Sequence, residues 1–253
     1  MNERDMILRE WEAKRRPQPF SSHRLNEWMS LLGFIKPQPG HRVVSLENNP
    51  LAVPVAERIG EKGSLVSFDY SFTRMRALVA KGCRAELLNI EPILLERSAL
   101  RSKTLPLNNN FADTVYSLPR DPFRRMRFES LPELYRILKP GGRLVFQSIH
   151  PDSASENFHR ATQPKKHHRT GPSKEEFVKV ASDIGFSLRT WQTRETPWIF
   201  SSPKSMVNYL QKIQPSPFSS RHVKEAASRY LGFERFDAYT ILRWSSLFVV
   251  LEK

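Results

Sequence analysis

Along the chain, short runs of apolar residues alternate with stretches in which apolar positions recur every three to four residues, and that alternation predicts strands and helices in turn. Helical spacing first shows at Leu25, Trp28, Met29 and Leu32, which predicts a helix over 23–32 after the breaks at Pro17 and Pro19. A link rich in Pro and Gly, 36–40, leads into the apolar run 43–46, which reads as a buried strand. Pro54 opens a helix ending near Ile59, with Gly60 as its stop. Strands are predicted at 64–68, 85–88, 114–118, 143–149, 186–193 and 246–251.

The connections carry helix signals of their own. Ser71 caps a helix that places Met75, Leu78 and Val79 on one face and closes at Gly82. The stretch 91–102 reads as an added helix, and the polar turn Asn108-Asn109-Asn110 precedes the fourth strand. Ser130 with Glu133, and Ser173 with Glu176, form capping boxes ahead of the stripes Leu134, Tyr135, Leu138 and Phe177, Val180, Ala181, Ile184. Two further helices follow Ser202-Pro203 and Ser220. The fold class expected is α/β, a doubly wound and mostly parallel sheet with helices on both faces. The division expected is an N-terminal helical extension over 1–40 and one domain over 41–253. Within that domain, 195–240 is expected to form a helical lid or cap before the last strand, and ordinary packing of an extra helical layer is the other reading of its aromatics Trp198, Tyr209 and Phe218.

Composition adds limits. A chain of 253 residues with 39% hydrophobic content buries a sizeable core and fits a single α/β domain with additions. No apolar run is long enough to span a bilayer, and the charged start, 1–16, lacks the apolar core of a signal peptide, so a soluble, unprocessed protein is expected. A lone cysteine, Cys83, excludes an internal disulfide framework and points to a reducing, cytoplasmic setting; no Cys and His spacing suggests a metal. The net charge of +14 makes attraction to polyanions a real expectation, whether nucleic acid, acidic lipid or an anionic substrate. Its clusters, Lys14 to Arg16, Arg120 to Arg127 and Lys165 to Arg169, carry no nucleic-acid-binding motif, and solvated loops and faces are the other reading of them. His167 and His168 beside two lysines read as metal or phosphate ligands, or as an exposed loop.

Two stretches go further than pattern. Leu105-Pro106-Leu107 through Phe111-Ala112-Asp113-Thr114-Val115, followed by Leu134-Tyr135-Arg136-Ile137-Leu138-Lys139-Pro140-Gly141-Gly142-Arg143-Leu144-Val145, resembles the class I S-adenosylmethionine-dependent methyltransferases, and most of all the ubiquinone/menaquinone-biosynthesis branch. The similarity runs over about 41–186, with the last strand fitting the family's terminal one. It implies a Rossmann-like fold, S-adenosylmethionine across the carboxyl ends of the first strands, and methyl transfer to an unidentified substrate. Asp69, ending the second strand, matches the acidic residue that holds the ribose hydroxyls; a helix N-terminal charge or cap before Ser71 is the other reading of it. Asn89, ending the third strand, matches the polar residue against the adenine amine.

The chain departs from the family in the first loop. The family's pattern there is Gly-x-Gly-x-Gly, whereas this chain has Glu47, Asn48, Asn49, Pro50, Leu51 and Ala52, with no glycine. Asn48 and Asn49 are expected to supply left-handed backbone geometry, and Glu47 to accept from the methionyl ammonium, since Ser45 replaces the usual acidic residue in the strand. His150, ending the fifth strand, is a candidate general base or a loop histidine without chemical duty. Asp121-Pro122-Phe123 departs from the motif of amine methyltransferases. Two functions stay open: a methyltransferase, and a non-catalytic pseudo-methyltransferase whose basic surface meets RNA, a ribonucleoprotein or an acidic protein partner. Whether Glu47, Pro50 and Leu51 fill the cleft above Asp69 separates them.

Overall fold

Val43 and Val44 have no solvent exposure, and they anchor the middle of the sheet. They belong to β1 (Arg42–Ser45), which lies between two parallel neighbours, β2 (Ser64–Asp69) and β4 (Ala112–Ser117). The computed structural model describes residues 24–95, 104–118, 130–150, 152–163, 173–213 and 217–253. Outward from β2 comes β3 (Ile90–Leu94), and outward from β4 come β5 (Leu138–Ser148), β8 (Thr240–Glu252) and β6 (Ser187–Phe200). The order β3-β2-β1-β4-β5-β8-β6 is parallel through β5; β8 then runs antiparallel to both its neighbours, and the short β7 (Phe233–Arg235) pairs with β8. The strand order reverses between β1 and β4, the place where open α/β sheets bind ligands at the carboxyl ends.

Both faces are covered because each helix has one apolar stripe to bury. On one face lie α1 (Leu25–Ile35) with Trp28, Leu31 and Ile35, α2 (Ala52–Ile59) with Val55 and Ile59, and α3 (Phe72–Arg84) with Leu78. On the other, α4 (Leu131–Ile137) and α6 (Lys174–Ile184) bring Leu134, Phe177 and Ala181 against Val115, Phe146 and Val249. The helices α5 (Ala154–Thr162), α7 (Pro203–Ile213) and α8 (Ser220–Ala226), with the π-turn Ala227–Leu231, build a third cluster around Trp198 and Trp244, stacked at 4.3 Å between centroids.

α1 is fastened by a buried polar group. Glu27 has no exposed surface; it accepts from Arg24 Nε at 2.5 Å and, on its other oxygen, from Gln147 of β5 and Ser246 of β8. The amide of Gln147 also donates to Ser246 Oγ at 2.8 Å, so a helix and two strands share one network.

Several expectations need correction. The third strand is Ile90–Leu94 and not 85–88: Leu88 is fully exposed, and Glu91 to Leu94, read as the start of an added helix, pair with β2. Pro92 is tolerated because β3 is an edge strand, with no ladder to feed on its outer side. Gly82 does not close its helix, which runs on to Arg84. Ser130 makes no cap; Glu133, its supposed partner, accepts instead from Leu105 N at 2.6 Å and from Arg136. Ser173 does cap, accepting from Glu176 N at 3.2 Å, and so does Ser71. Residues 195–200 are strand and not helical insertion, and α5 carries no expectation from the pattern. The extension before residue 24, the basic clusters and paired histidines over 120–127 and 165–169, and Asp121 to Phe123 lie outside the described residues. Among the described residues, no helix is long and apolar enough to cross a membrane.

Gly141 and Gly142 lie within β5, at the irregularity in its pairing with β4. Gly141 takes φ +75°, its N–H donates to Lys253 O at 2.9 Å, and Lys253 N returns a bond to Gly142 O at 3.0 Å. A Cβ on Gly142 would stand 2.8 Å from Lys139 O and 3.1 Å from Ala112 O, both backbone atoms that cannot step aside. Gly142→Ala is therefore expected to cost about 1–3 kcal/mol, the usual penalty of forcing atoms into a filled site. Urea unfolding of the variant measures it as a lower midpoint with unchanged slope.

Candidate functional site

The loop after β1 and the end of β2 meet at the carboxyl ends of the parallel strands. There Asp69, the last residue of β2, points a fully buried carboxylate into a set of donors. Its Oδ1 accepts from Ser71 N at 2.8 Å and from Arg74 through Nε at 3.0 Å and Nη2 at 2.6 Å. Its Oδ2 accepts from Asn48 N at 3.3 Å, and the Asn48 side chain donates to Arg74 O.

Local sequence explains this knot. Ser71 is the N-cap of α3, accepting from Arg74 N at 3.4 Å, so Arg74 occupies the third helical position and its side chain can reach back to the strand end. A cation there opposes the positive end of the helix dipole. The Asp69 carboxylate offsets that, being both the anion the helix terminus favours and a partner for the guanidinium fork. Arg74 itself keeps 42% of its side-chain surface in solvent.

A second set of bonds shapes the glycine-free loop. Asn49 Oδ1 accepts from Leu51 N at 2.9 Å, while Nδ2 donates to Ser45 Oγ at 2.7 Å and Glu47 O at 2.8 Å. This Asx-type turn corrects the expectation of left-handed asparagines: the non-glycine residues with positive φ among those described are Lys36, Glu86 and Asn110. Asparagine serves the turn with its side chain, which removes the need for glycine's backbone freedom. The buried Tyr116 hydroxyl faces Asn49 Oδ1 at 3.5 Å. Burial pushes its phenol up to about 12 against the bonds with Ser45 and Asn49 that pull it down, so it is protonated at neutral pH and is no general base.

Asp69, Glu47, Asn48 and Asn49 are thus brought together. Asn89 is not: it precedes β3 and donates to Ala56 O and Gly60 O, both at 2.8 Å, at the end of α2 and the opposite end of the sheet. Its expected place at a strand's carboxyl end fell with the misplaced third strand. His150 lies beyond the carboxyl end of β5, three strands from β2; its Nδ1 accepts from Asp152 N at 3.2 Å and its ring meets Trp191 edge-on. No bond or ring contact joins it to the Asp69 group. The pattern also missed Arg74, whose signal was its spacing: five residues beyond Asp69 and three beyond a capping serine.

The Asp69 carboxylate is covered, though not by the residues anticipated. Pro50 is exposed, Leu51 turns into the core at 2% exposure, and Glu47 is half-buried. What covers the carboxylate is the Asn48 main chain and the Arg74 guanidinium. A carboxylate at this strand end is acceptor-only and has the chemistry that the two ribose hydroxyls of S-adenosylmethionine require. The residues present fit that group with Arg74 swung toward the solvent it already reaches, and do not fit it with Arg74 on Oδ1.

No family model matches the chain, and no curated protein matches it in sequence. Solved structures do. YcgJ from Bacillus subtilis has a TM-score of 0.62 at 13% identity, covering 91% of this chain and 99% of its own. A methyltransferase from Bacillus halodurans C-125 has a TM-score of 0.60 at 15% identity, over 89% of this chain and 97% of its own. Geranyl diphosphate C-methyltransferase from Streptomyces coelicolor A3(2), solved with Mg2+, geranyl diphosphate and S-adenosylhomocysteine, has a TM-score of 0.55 at 11% identity, over 89% and 79%. The quinone-biosynthesis branch is not singled out among these neighbours. Strand order, switch point and these likenesses together give the chain the Rossmann-like fold of the class I S-adenosylmethionine-dependent methyltransferases.

Proposed function

We propose that the chain is a methyltransferase-type protein that takes S-adenosylmethionine at the carboxyl ends of β1 and β2, with Asp69 on the ribose and Arg74 controlling access. The observation that carries this reading is the Asp69 carboxylate, whose strongest partner is a solvent-reaching arginine and not fixed backbone alone. The S-adenosylhomocysteine complex of the Streptomyces coelicolor neighbour supports the choice of ligand. Bound there, the cofactor supplies an electrophilic methyl group. The chain's own part is to hold it through Asp69 and Glu47, to exclude water with the Asn48–Asn49 turn, and to align a nucleophile, because methyl transfer draws chiefly on proximity and orientation. His150 accepts from Asp152 N on Nδ1, so its neutral ring carries the hydrogen on Nε2; to take a proton from that nucleophile the ring would have to give up the Asp152 bond and present Nδ1. The exposed Cys83 thiol suits a reducing, cytoplasmic setting.

A second reading is favoured by the same closed carboxylate: a non-catalytic module that keeps the fold with the cleft permanently shut. Calorimetric titration of the chain and of Asp69→Asn with S-adenosylhomocysteine separates the two. The enzyme reading predicts measurable binding that Asp69→Asn weakens about tenfold or more, the worth of a hydrogen bond to a charged acceptor. Silence from the unaltered chain at ligand concentrations of about 1 mM, which excludes all but the weakest affinities, leaves the module.

A further inference from the structure

At the end of the sheet opposite Asp69, a cleft of about 660 Å3 lies between the ends of α1 and α2 and the strands β5, β8 and β6. Its walls carry Lys36, Arg58, Arg143, Arg189 and Arg194, drawn from α1's end, α2's end and two strands. One carboxylate is shared among them: Glu252 accepts from Arg189 at 2.7 Å and stands 4.0 Å from Arg143. Lys36 and Arg58 have no acidic partner among the described residues. Arg194 stacks on Phe34, 4.8 Å from the ring centroid, and donates to the neutral Gln192 oxygen at 3.1 Å, which orients its guanidinium without neutralising it.

Packing does not call for this arrangement. Like charges gathered in a concavity repel, and low-dielectric walls focus their potential, so the cost is recovered when an anion enters. Guanidinium forks match phosphate oxygens two at a time. The cavity is the size of a small-ligand site and its walls are partly apolar, with the half-buried Met29 and Phe34 beside the cations. A row of carboxylates on an acidic peptide has no use for that apolar strip, whereas a nucleotide unit has a base to lay against it. We propose that this cleft binds single-stranded nucleic acid, with phosphates on Arg58, Arg143 and Arg194 and a base against the apolar wall; the remainder of the +14 charge attracts the strand beyond the cleft. The proposal is independent of S-adenosylmethionine binding.

Fluorescence anisotropy with a labelled single-stranded oligoribonucleotide of about 12 nucleotides, a usual length for one binding groove, tests it. The double variant Arg58→Gln/Arg194→Gln is compared with Arg76→Gln/Lys204→Gln, which removes the same charge from exposed positions outside the cleft. All four side chains are exposed, and a thermal melt checks that both variants fold. The cleft variant should bind about tenfold more weakly, and its slope of log affinity against log salt should shrink by about 1.4, since each lost single-strand phosphate contact accounts for about 0.7. The control should stay within about twofold, the margin expected when only long-range charge is removed. Equal losses in the two variants, or no binding by the unaltered chain at low salt, overturn the proposal. So does displacement of the strand by tripolyphosphate or polyglutamate at the same charge concentration, which would assign the cleft to a small phosphate or an acidic protein.

Discussion

Glu27→Ala is expected to destabilise the protein by about 3–5 kcal/mol, the cost of removing one partner from a buried charge network. In a chain of this size each kcal/mol moves the melting midpoint by about 2–4 °C, so a fall of about 10 °C is the expected reading. Glu27 is without solvent contact, and its loss leaves the Ser246 hydroxyl without its acceptor and the Gln147 amide with only its bond to Ser246, in the space between helix and sheet. Arg24 loses its carboxylate as well and keeps the Trp198 ring, 5.1 Å away, and the Tyr209 hydroxyl as neighbours. Glu27→Gln keeps an acceptor and the shape, and should recover part of the loss. Circular dichroism melts of the two variants and the unaltered chain check the order. Equal midpoints for all three would mean that α1 is held by its apolar stripe alone.

Asp69→Ala is the second large effect, with an expected cost of about 2–4 kcal/mol, because a buried carboxylate that satisfies several donors is lost at once. Ser71 N and Asn48 N lose their acceptor inside the fold, and Arg74 faces the α3 terminus uncompensated. Arg74 is partly solvated and recovers some of its share from water. Hydrogen exchange gives a sharper check than melting: amides of the 47–51 loop and of the first turn of α3 should exchange faster, while those of β4 and β5 remain protected. Uniform acceleration across the sheet would show that the knot supports the whole domain and not one end of it.

The sequence revealed the sheet better than the site. β1, β2 and β4 stand within two residues of the strands predicted from their apolar runs, since buried parallel strands leave no ambiguity of face. β3 escaped because it is a half-exposed edge strand carrying Pro92, and both features argue against a strand when neighbours are unknown. β6 and β8 were foreseen too short, their far halves serving the third aromatic cluster. In the site, Asp69 was legible from its place at a strand end. The use made of Asn49 was not, because the same residue type supports either a left-handed backbone or a side-chain turn. Glu27 was illegible for a different reason: its partners lie 120 and 219 residues away, and no local pattern records them.

The account rests on Arg74 occupying the place of a ligand, and Arg74→Ala tests that most directly. Apparent affinity falls by the fraction of molecules whose site is open, so removing a latch that is closed in about nine molecules of ten tightens binding about tenfold. Titration calorimetry of S-adenosylhomocysteine into the unaltered chain and into Arg74→Ala should therefore show the variant binding about tenfold more tightly. Equal affinities, or no heat from either protein, would contradict it.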